Sequence, residues 1–278
     1  MDTQTVEELR NRHPPSAPDL REPLHPDSLN LPNTTVAPDE VLRAIQSFSK
    51  ASSGGFDGLR PRHIRDMIAA DNEHTLLGAL VNLCERSING SLPSFVLKFF
   101  YGASLWAFRK KSGGLRPIAC GITLRRLATK VAIQRHKAEI SSSLLPRQVG
   151  CGVRGGAEAM VHAVRAYLGK DFPNTKLMVK LDFTNAFNSI RRDWMLEQVA
   201  QHAPYLYKMA YQAYTEQTSL FNDDLQLSSC SGVQQGDPCG PALFCFAIKG
   251  LVEELQSGCT LWYLDPLTVK SGAPNKLF

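Results

Sequence analysis

Two aspartates follow short apolar runs, and their placement predicts a metal site. Residues 177 to 181 read as a strand that ends at Asp182, and residues 261 to 264 read as another strand that ends at Asp265. A hard cation such as Mg²⁺ prefers oxygen ligands, typically one or two carboxylates together with substrate phosphates. Asp182 by itself could instead cap the helix that follows it. A second carboxylate arriving from another strand favours the metal site.

A segment rich in glycine and proline lies between the two aspartates. It reads SGVQQGDPCGP from position 231 to 241, and apolar residues at helical spacing follow it. Small residues ahead of a helix allow the backbone to approach a ligand closely, although a plain loop with a helix cap uses the same residue types. The density of glutamine, glycine, aspartate and proline favours the ligand-binding interpretation.

Basic residues concentrate in a predicted hairpin and in the helix after it. The apolar runs ASLWAF and LRPIAC are joined by RKKSGG, whose two glycines predict a tight turn. A solvated hairpin would carry some charge, but the following helix repeats the pattern, and one basic face would suit a phosphate backbone. The cationic residues are Arg109, Lys110, Lys111 and Arg116 in the hairpin, and Arg125, Arg126 and Lys130 in the helix, where we predict nucleic-acid contacts.

Composition bounds the class of protein. The chain has 278 residues, 43% of them hydrophobic, which is enough for a sizeable core, and its net charge of +5 permits a polyanionic partner without demanding one. The seven cysteines form no C-x-x-C pair and read as reduced thiols. With no apolar leader and no run of 18 apolar residues, the sequence predicts an intracellular protein, cytoplasmic or nuclear, with no membrane partner. It makes no prediction of oligomeric state.

The order of the segments suggests where the folded region begins. Residues 1–37 are rich in proline and predict a poorly ordered lead-in. Apolar residues at helical spacing then predict a helix that opens at Pro38, with further helices at about 61–70 and 74–89. A mixed α+β fold is therefore expected.

Five motifs in order resemble one family. KLDFTNAFNSI, SGVQQGDPCGPALFCFAI and WYLD are similar to the palm of a reverse transcriptase of the non-long-terminal-repeat retrotransposon type, and GGFDGLRPRHI and KKSGGLRPIACGITLRRLATK resemble its fingers. The likeness covers residues 38–265. It implies a right-hand polymerase with a fingers-like segment at 38–175, including the basic hairpin 103–120, and a palm at 176–265.

The resemblance also implies site roles, residue by residue. Asp182 and Asp265 would be the catalytic, metal-binding carboxylates, and the backbone at Phe183 would help to coordinate the ion. Phe187 would lie under the sugar and exclude a 2′-hydroxyl. The remaining dNTP contacts would come from Gln235, Gly236, Lys110 or Lys111, and Arg116.

The implied reaction is nucleotidyl transfer with RNA template, DNA primer and dNTP as partners. The primer 3′-oxygen attacks the α-phosphate in line, and two Mg²⁺ ions, or Mn²⁺, about 3.5 to 4 Å apart stabilise the attacking and leaving oxygens. Cationic side chains from the hairpin neutralise the phosphates.

The sequence departs from the family pattern at its C-terminal end. Position 266 is proline where the family has its second aspartate, and the residues after it do not resemble the last palm strands or a thumb. These departures predict an incomplete palm sheet, an absent thumb, a divergent tail at 266–278 and a chain that is inactive or impaired. One alternative is a catalytically inactive remnant that only binds nucleic acid. Another is an RNA-dependent RNA polymerase, which Phe187 disfavours because such an enzyme must admit the 2′-hydroxyl.

Overall fold

A computed structural model of the chain describes residues 2–111, 113–170, 177–222, 225–255, 259–264 and 267–271. For positions 177–179, 259 and 267–271 it describes the backbone. Within these ranges the fold is mixed α+β, as the sequence predicts. No helix among the described residues combines the length and hydropathy that crossing a bilayer requires.

Helices make up about half of the described chain. They are α1 (Thr3–Arg12), α2 (Pro38–Gln46), α3 (Pro61–Ala70), α4 (Thr75–Ile88), α5 (Ser94–Phe100), α6 (Thr123–Arg135), α7 (Lys137–Leu144), α8 (Gly156–Gly169), α9 (Ala186–Ser189), α10 (Arg192–His202), α11 (Pro204–Tyr214), α12 (Gly240–Ala247) and α13 (Lys249–Glu254), with a 3-10 turn at Pro26–Leu29. The strands are β1 (Ala103–Arg109), β2 (Leu115–Gly121), β3 (Leu177–Leu181), β4 (Thr218–Asn222), β5 (Leu225–Ser229), β6 (Cys259–Trp262) and β7 (Leu267–Ser271).

A four-stranded sheet has the order β2-β1-β4-β5. Strands β1 and β2 pair antiparallel from Ala103 opposite Gly121 to Arg109 opposite Leu115, which forms the hairpin where the sequence predicts one. Its turn closes because Gly113 and Gly114 both adopt positive φ, a region that glycine enters without steric cost. The cationic tip of the hairpin is thereby held at the end of a paired ladder.

A three-stranded sheet carries the strand that precedes Asp182. Its order is β3-β7-β6, and β7 pairs antiparallel with both neighbours. Residues 267–271, which fall in the predicted divergent tail, thus form a paired strand. That segment is the central strand, and the ladder runs from Leu177 opposite Ser271 to Leu181 opposite Leu267.

The main core joins the helices to one another. It is built by the apolar faces of α2, α4, α6, α10, α11 and α12, with side chains such as Ile45, Leu127 and Phe246 almost fully buried. In α2 the 3.6-residue spacing of apolar positions places them on one face of the helix, whereas α12 is buried on nearly all sides. A second, smaller cluster lies at the four-stranded sheet.

The N-terminal segment packs on the rest of the protein. Helix α1 begins after Asp2, whose carboxylate accepts from the N–H of Thr5 at 2.8 Å, and Leu9 is fully buried in the second cluster. Farther along, the carbonyl of Leu24 accepts from the hydroxyl of Tyr207 at 2.6 Å. Lys208, also on α11, donates to the carbonyl of Leu31 at 2.7 Å. The prediction of a poorly ordered lead-in is wrong for residues 2–37.

Candidate active site

One cavity of about 500 Å³ gathers six of the candidate site residues that the sequence singled out. Its walls come from the end of α1, the β1–β2 hairpin, the turn after β3, and the loop before α12. The lining residues are Arg12, Lys110, Leu115, Arg116, Pro117, Asp182, Phe183, Thr184, Asn185, Ala186, Phe187, Asn188 and Gln235. The cavity has cations on one wall and a carboxylate on another.

The hairpin supplies the cationic wall. Lys110 lies at the end of β1, where its N–H donates to the carbonyl of Gly114 at 2.9 Å, and Arg116 pairs across the ladder with Phe108. Lys110 and Arg116 are both exposed and both line the cavity. Lys111 is exposed at the turn and is not among the lining residues. Of the two lysines that the sequence offers as triphosphate contacts, Lys110 is the one that lines the cavity.

The turn after β3 supplies the carboxylate. Asp182 is exposed at the end of the strand, and Leu181 before it is 39% exposed. Phe183 stacks on the fully buried Trp262, with ring centroids 6.3 Å apart. Asn185 adopts φ of +57°, which asparagine tolerates, and turns the chain into α9.

The glycine-rich loop joins the two walls. The N–H of Val233 donates to the carbonyl of Phe187 at 2.8 Å, and two residues later the carbonyl of Gln235 accepts from the N–H of Ala119 on β2 at the same distance. Gly236 does not line the cavity, but it lies against β2, since a Cβ at this position would approach the Ala119 carbonyl oxygen to 2.4 Å. The loop therefore fixes the distance between the hairpin and the turn after Asp182.

The aromatic ring of Phe187 is held by stacking. It lies nearly parallel to Phe244 of α12, with centroids 4.6 Å apart and an interplanar angle of 9°. Phe187 is half-buried and contributes an apolar face to the cavity. A ring packed in this way presents a stiff surface to any ligand beside it.

A buried ion pair holds the loop from beneath. Arg125 donates to Asp237 at 2.6 Å and to the carbonyl of Tyr101 at 2.8 Å, and Tyr214 donates its hydroxyl to Asp237 at 2.8 Å. Desolvation alone would lower the pKa of Arg125, but the attraction of Asp237 raises it. Burial raises the pKa of Tyr214 well above its ordinary value, and the neighbouring carboxylate adds to that effect. The loop is thus anchored to α6 and α11.

This burial corrects the nucleic-acid contacts predicted in α6. Arg125 is 2% exposed and Arg126 is 9% exposed, and both donate hydrogen bonds within the protein, Arg126 to the carbonyl of Ser53. Lys130 is half-buried, lies over the ring of Phe48 at 4.6 Å and donates to the hydroxyl of Ser47. A basic helix face was expected because sequence spacing alone does not reveal that an arginine has a carboxylate or carbonyl partner.

A second buried arginine secures the start of the loop. Arg192 of α10 donates to the carbonyl of Gly232 at 2.9 Å and to the hydroxyl of Ser229 at 2.8 Å. Burial lowers the pKa of Arg192 to about 10, because the charged guanidinium loses hydration. Two arginines on different helices therefore brace the segment that carries Gln235.

Asp265 and Pro266 lie outside the described residues, but both flanking segments are described. Gln148, which is 2% exposed, accepts from the N–H of Leu264 at 2.9 Å and donates to its carbonyl at 3.1 Å. Leu264 has φ of +56°, an uncommon value for a residue with a branched side chain. On the other side, Leu267 pairs with Leu181, the residue before Asp182.

The donor set at the cavity suits a hard cation. Asp182 offers a carboxylate and Phe183 a backbone carbonyl, and magnesium prefers such oxygen ligands. Among the described residues no group of three or more histidine, cysteine, aspartate or glutamate side chains forms a metal cluster. A magnesium ion here would therefore rely on Asp182, on a second carboxylate, and on phosphate oxygens from a ligand.

Sequence reasoning missed the part of the site that comes from α1. Arg12 lines the cavity, and its carbonyl accepts from the side chain of Asn185 at 2.9 Å. The capping Asp2 and ten residues without glycine or proline could have identified the helix. No local signal indicated that the helix packs beside the hairpin.

Comparison with known proteins identifies the class. A family model described as "Reverse transcriptase (RNA-dependent DNA polymerase)" matches residues 108–277, which is more than half of the chain. The chain therefore belongs to the reverse transcriptase family. The matched span contains Lys110, Arg116, Asp182, Phe187 and Gln235 and continues past Asp265 through β7. This family implies a polymerase that uses divalent metal ions.

A curated relative narrows the type. The chain is 28% identical over 255 residues to the Retrotransposable element SLACS 132 kDa protein of Trypanosoma brucei gambiense. The alignment covers 87% of this chain and 21% of that protein, so the chain spans about a fifth of the relative's length. Together with the family match, this likeness confirms the resemblance to the reverse transcriptase domain of a non-long-terminal-repeat retrotransposon.

Solved structures with a partial likeness include two telomerases. An apo telomerase from Candida tropicalis, truncated from its C-terminal domain, is 11% identical, and the likeness covers 64% of this chain and 45% of that one. A telomerase from Candida albicans in complex with a fragment of telomeric RNA is 10% identical, with 66% and 40% covered. Both TM-scores are 0.47. The assignment to the family rests on the sequence match.

Proposed function

We propose that the 500 Å³ cavity is the nucleotide site of an RNA-directed DNA polymerase, with a deoxynucleoside triphosphate as its ligand. The observation that carries this proposal is the meeting of five residues in one cavity. Asp182, Lys110, Arg116, Phe187 and Gln235 come from three separate segments of the chain, yet all line the same space. A carboxylate facing two cations beside a flat apolar ring matches the needs of a metal-bound triphosphate and its sugar.

In this proposal the architecture is that of a right-hand polymerase. Residues 38–175 form the fingers-like segment with the β1–β2 hairpin, and residues 176–265 form the palm. Strand β7 extends the palm sheet, because it pairs with β3 on one side and β6 on the other. The loop bonded to both Phe187 and Ala119 is then the connection that sets the width of the nucleotide site.

Each residue has a distinct role in the proposed reaction. Asp182 and Asp265 hold the divalent ions, with help from the carbonyl of Phe183. Magnesium or manganese ions, when bound, stabilise the attacking and leaving oxygens of an in-line displacement. Lys110 and Arg116 bind the triphosphate through charge-assisted hydrogen bonds. The four side chains thereby orient the α-phosphate toward the primer 3′-oxygen.

The sugar and base are selected by the other walls. Phe187 presents the face of its ring, where an unpaired 2′-hydroxyl would lose hydration without gaining a partner. Gln235 contacts the nucleotide beside it. Sequence selection is left to base pairing with the template, so that the protein needs to contact chiefly backbone and shape.

The exposed surface of the hairpin suits a single-stranded template. Trp106 and Phe108 lie two positions apart on β1 and are 51% and 56% exposed. The cationic residues Lys110 and Lys111 follow directly after the strand. Aromatic faces stack on bases, and neighbouring cations bind the phosphates. In this proposal the hairpin surface binds nucleic acid, in place of the basic face that the sequence predicted on α6.

Pro266 favours a second candidate function, in which the chain binds nucleic acid without polymerising. The family has an aspartate at this position, and proline offers neither a carboxylate nor an N–H. The active-polymerase and binding-only alternatives differ in one testable respect, which is whether restoring the carboxylate restores turnover.

Primer extension on an RNA template tests the proposal. We expect the purified chain to extend a DNA primer weakly or not at all in Mg²⁺, because one carboxylate is replaced. Pro266→Asp should raise extension at least about tenfold, which corresponds to ~1.4 kcal/mol of transition-state stabilisation. Adding Asp182→Asn to that variant should abolish the gain. Extension that does not depend on Asp182 would refute the proposed site, and salt-sensitive RNA binding without any gain from Pro266→Asp would favour the binding-only alternative.

A further inference from the structure

We propose that Arg12, from the N-terminal helix α1, is a third cation that binds the triphosphate of the incoming nucleotide. The inference rests on the proposed function and adds a residue from outside the segment matched by the family, which begins at residue 108. Its basis is that Arg12 lines the same cavity as Lys110, Arg116 and Asp182.

Helix α1 is fixed against both walls of the cavity. Leu9 is fully buried in the cluster that includes Leu115 of β2, and the carboxylate of Glu8 accepts from the N–H of Leu115 at 2.8 Å. On the opposite side, the carbonyl of Arg12 accepts from the side chain of Asn185 at 2.9 Å. The last residue of the helix is therefore held between the hairpin and the turn that carries Asp182.

The side chain of Arg12 retains donors for a ligand. Its Nη2 lies 3.5 Å from Oε1 of Glu8, a loose contact with an oxygen that already accepts from Leu115. The guanidinium has five N–H donors in a planar fork that matches phosphate oxygens, and the side chain is 25% exposed. Most of its hydrogen-bonding capacity is thus available on the cavity side.

The side chain of Arg12 lies against the hairpin turn. A Cβ at Gly114 would lie 3.6 Å from Nη2 of Arg12 and 3.4 Å from Oε1 of Glu8, which are ordinary contact distances. The guanidinium is therefore adjacent to the turn that carries Lys110. Three cations from two elements line one cavity, which suits a ligand group with several negative charges.

A purely structural role for Arg12 makes a different prediction from phosphate binding, and substitution of Glu8 distinguishes the two roles. If Arg12 only clamps α1 to the hairpin through its ion pair, then Glu8→Gln should be as harmful as Arg12→Gln. If Arg12 binds phosphate, then Glu8→Gln keeps the acceptor for the N–H of Leu115 while it releases the guanidinium. Arg10, exposed on the same helix and not among the residues that line the cavity, supplies the matched control for loss of one positive charge.

The experiment is equilibrium binding of dATP and of inorganic tripolyphosphate to the full chain in Mg²⁺, measured by calorimetry. We expect Arg12→Gln to weaken both ligands about tenfold, or ~1.4 kcal/mol, and Arg12→Lys to recover part of the loss. Glu8→Gln should leave affinity unchanged or improve it, and Arg10→Gln should leave it unchanged. Thermal unfolding of each variant checks that the fold is retained.

Three results would overturn the inference, and they can be told apart. Unchanged binding in Arg12→Gln together with weakened binding in Arg116→Gln would remove Arg12 but leave the nucleotide site. Equal losses in Glu8→Gln and Arg12→Gln would assign Arg12 a clamping role. No dATP binding by the unmodified chain, or binding that ignores both Arg12 and Arg116, would refute the nucleotide site and Arg12 together.

Discussion

The guanidinium of Arg125 lies 2.6 Å from the carboxylate of Asp237, and both side chains are almost fully buried. The pair connects α6 with the loop that places Gln235 against the cavity. Neither residue lines the cavity itself. The geometry of the site therefore depends on an interaction in the layer beneath it.

Removing one member of this pair should destabilise the fold. We expect Arg125→Met to lower the free energy of unfolding by about 3–5 kcal/mol, because it leaves the charge of Asp237 buried without a partner. Urea unfolding measures the change. The exposed pair formed by Arg43 and Asp39 is the control, and Arg43→Met should cost less than about 1 kcal/mol. Equal effects of the two substitutions would contradict the role assigned to the buried pair.

Gly236 should tolerate no side chain. Its φ is +135° and a Cβ would approach the carbonyl oxygen of Ala119 to 2.4 Å, so Gly236→Ala should lower the unfolding free energy by roughly 1–3 kcal/mol. Gly78 in α4 has nothing within 4 Å of a Cβ, and Gly78→Ala should instead stabilise by up to about 1 kcal/mol. Thermal unfolding compares the two. A neutral Gly236→Ala variant would mean that the loop does not lie against β2.

Docking of the N-terminal segment should weaken in acid. Asp193 accepts from the side chain of Arg191 at 2.7 Å and from the N–H of Arg21 at 3.0 Å. The hydrogen bond from Arg191, assisted by backbone N–H groups, holds the pKa of Asp193 well below its usual range against the opposing effect of burial. Because the folded pKa is depressed, this stabilisation is fully present above the unfolded value of about 3.9 and is lost as pH falls through the folded pKa.

The measurement is urea unfolding of the native sequence and of Asp193→Asn at several pH values. We expect the native chain to be the more stable one above about pH 4, and the difference to shrink below that value. A difference that stays constant down to the lowest accessible pH would show that the carboxylate charge does not contribute.

Phe187 should set the sugar preference. We expect Phe187→Ala to reduce the ratio of dATP affinity to ATP affinity by about tenfold, because removal of the ring opens space for a 2′-hydroxyl. Phe187→Tyr keeps the ring stacked on Phe244 and should retain the preference. Competitive binding of the two nucleotides in Mg²⁺ provides the ratio. If the alanine variant keeps the native ratio, the ring serves only to pack against α12.

Local patterns predicted the elements that carry the site, whereas distant partners decided the rest. The strand before Asp182, the hairpin around Gly113 and the helix after Pro238 follow from apolar spacing and turn residues, which operate over a few positions. The burial of Arg125 depends on Asp237, 112 positions away, and no periodicity reports such a pair. A basic face was therefore predicted where an internal ion pair exists.

Structure near the two ends of the chain depends on distant partners. Prolines suggested disorder before residue 38, but the helix at Thr3–Arg12 is stabilised by burial of Leu9 on a distant hairpin. Pro266 suggested an interrupted sheet, but Leu267–Ser271 gains two strand partners, one of them about ninety positions earlier. Long-range packing outweighed local propensity at both ends.

Photoaffinity labelling with an azido derivative of dATP in Mg²⁺, mapped by mass spectrometry, tests the central claim most directly. The account predicts labelling, suppressed by excess dATP, within residues 110–117, 182–188 or 233–236, which meet at the 500 Å³ cavity. Asp182→Asn should reduce that labelling. Competed labelling confined to a different surface, such as the cavity of about 440 Å³ beside Tyr207 and Leu24, would contradict the claim that this cavity is the nucleotide site.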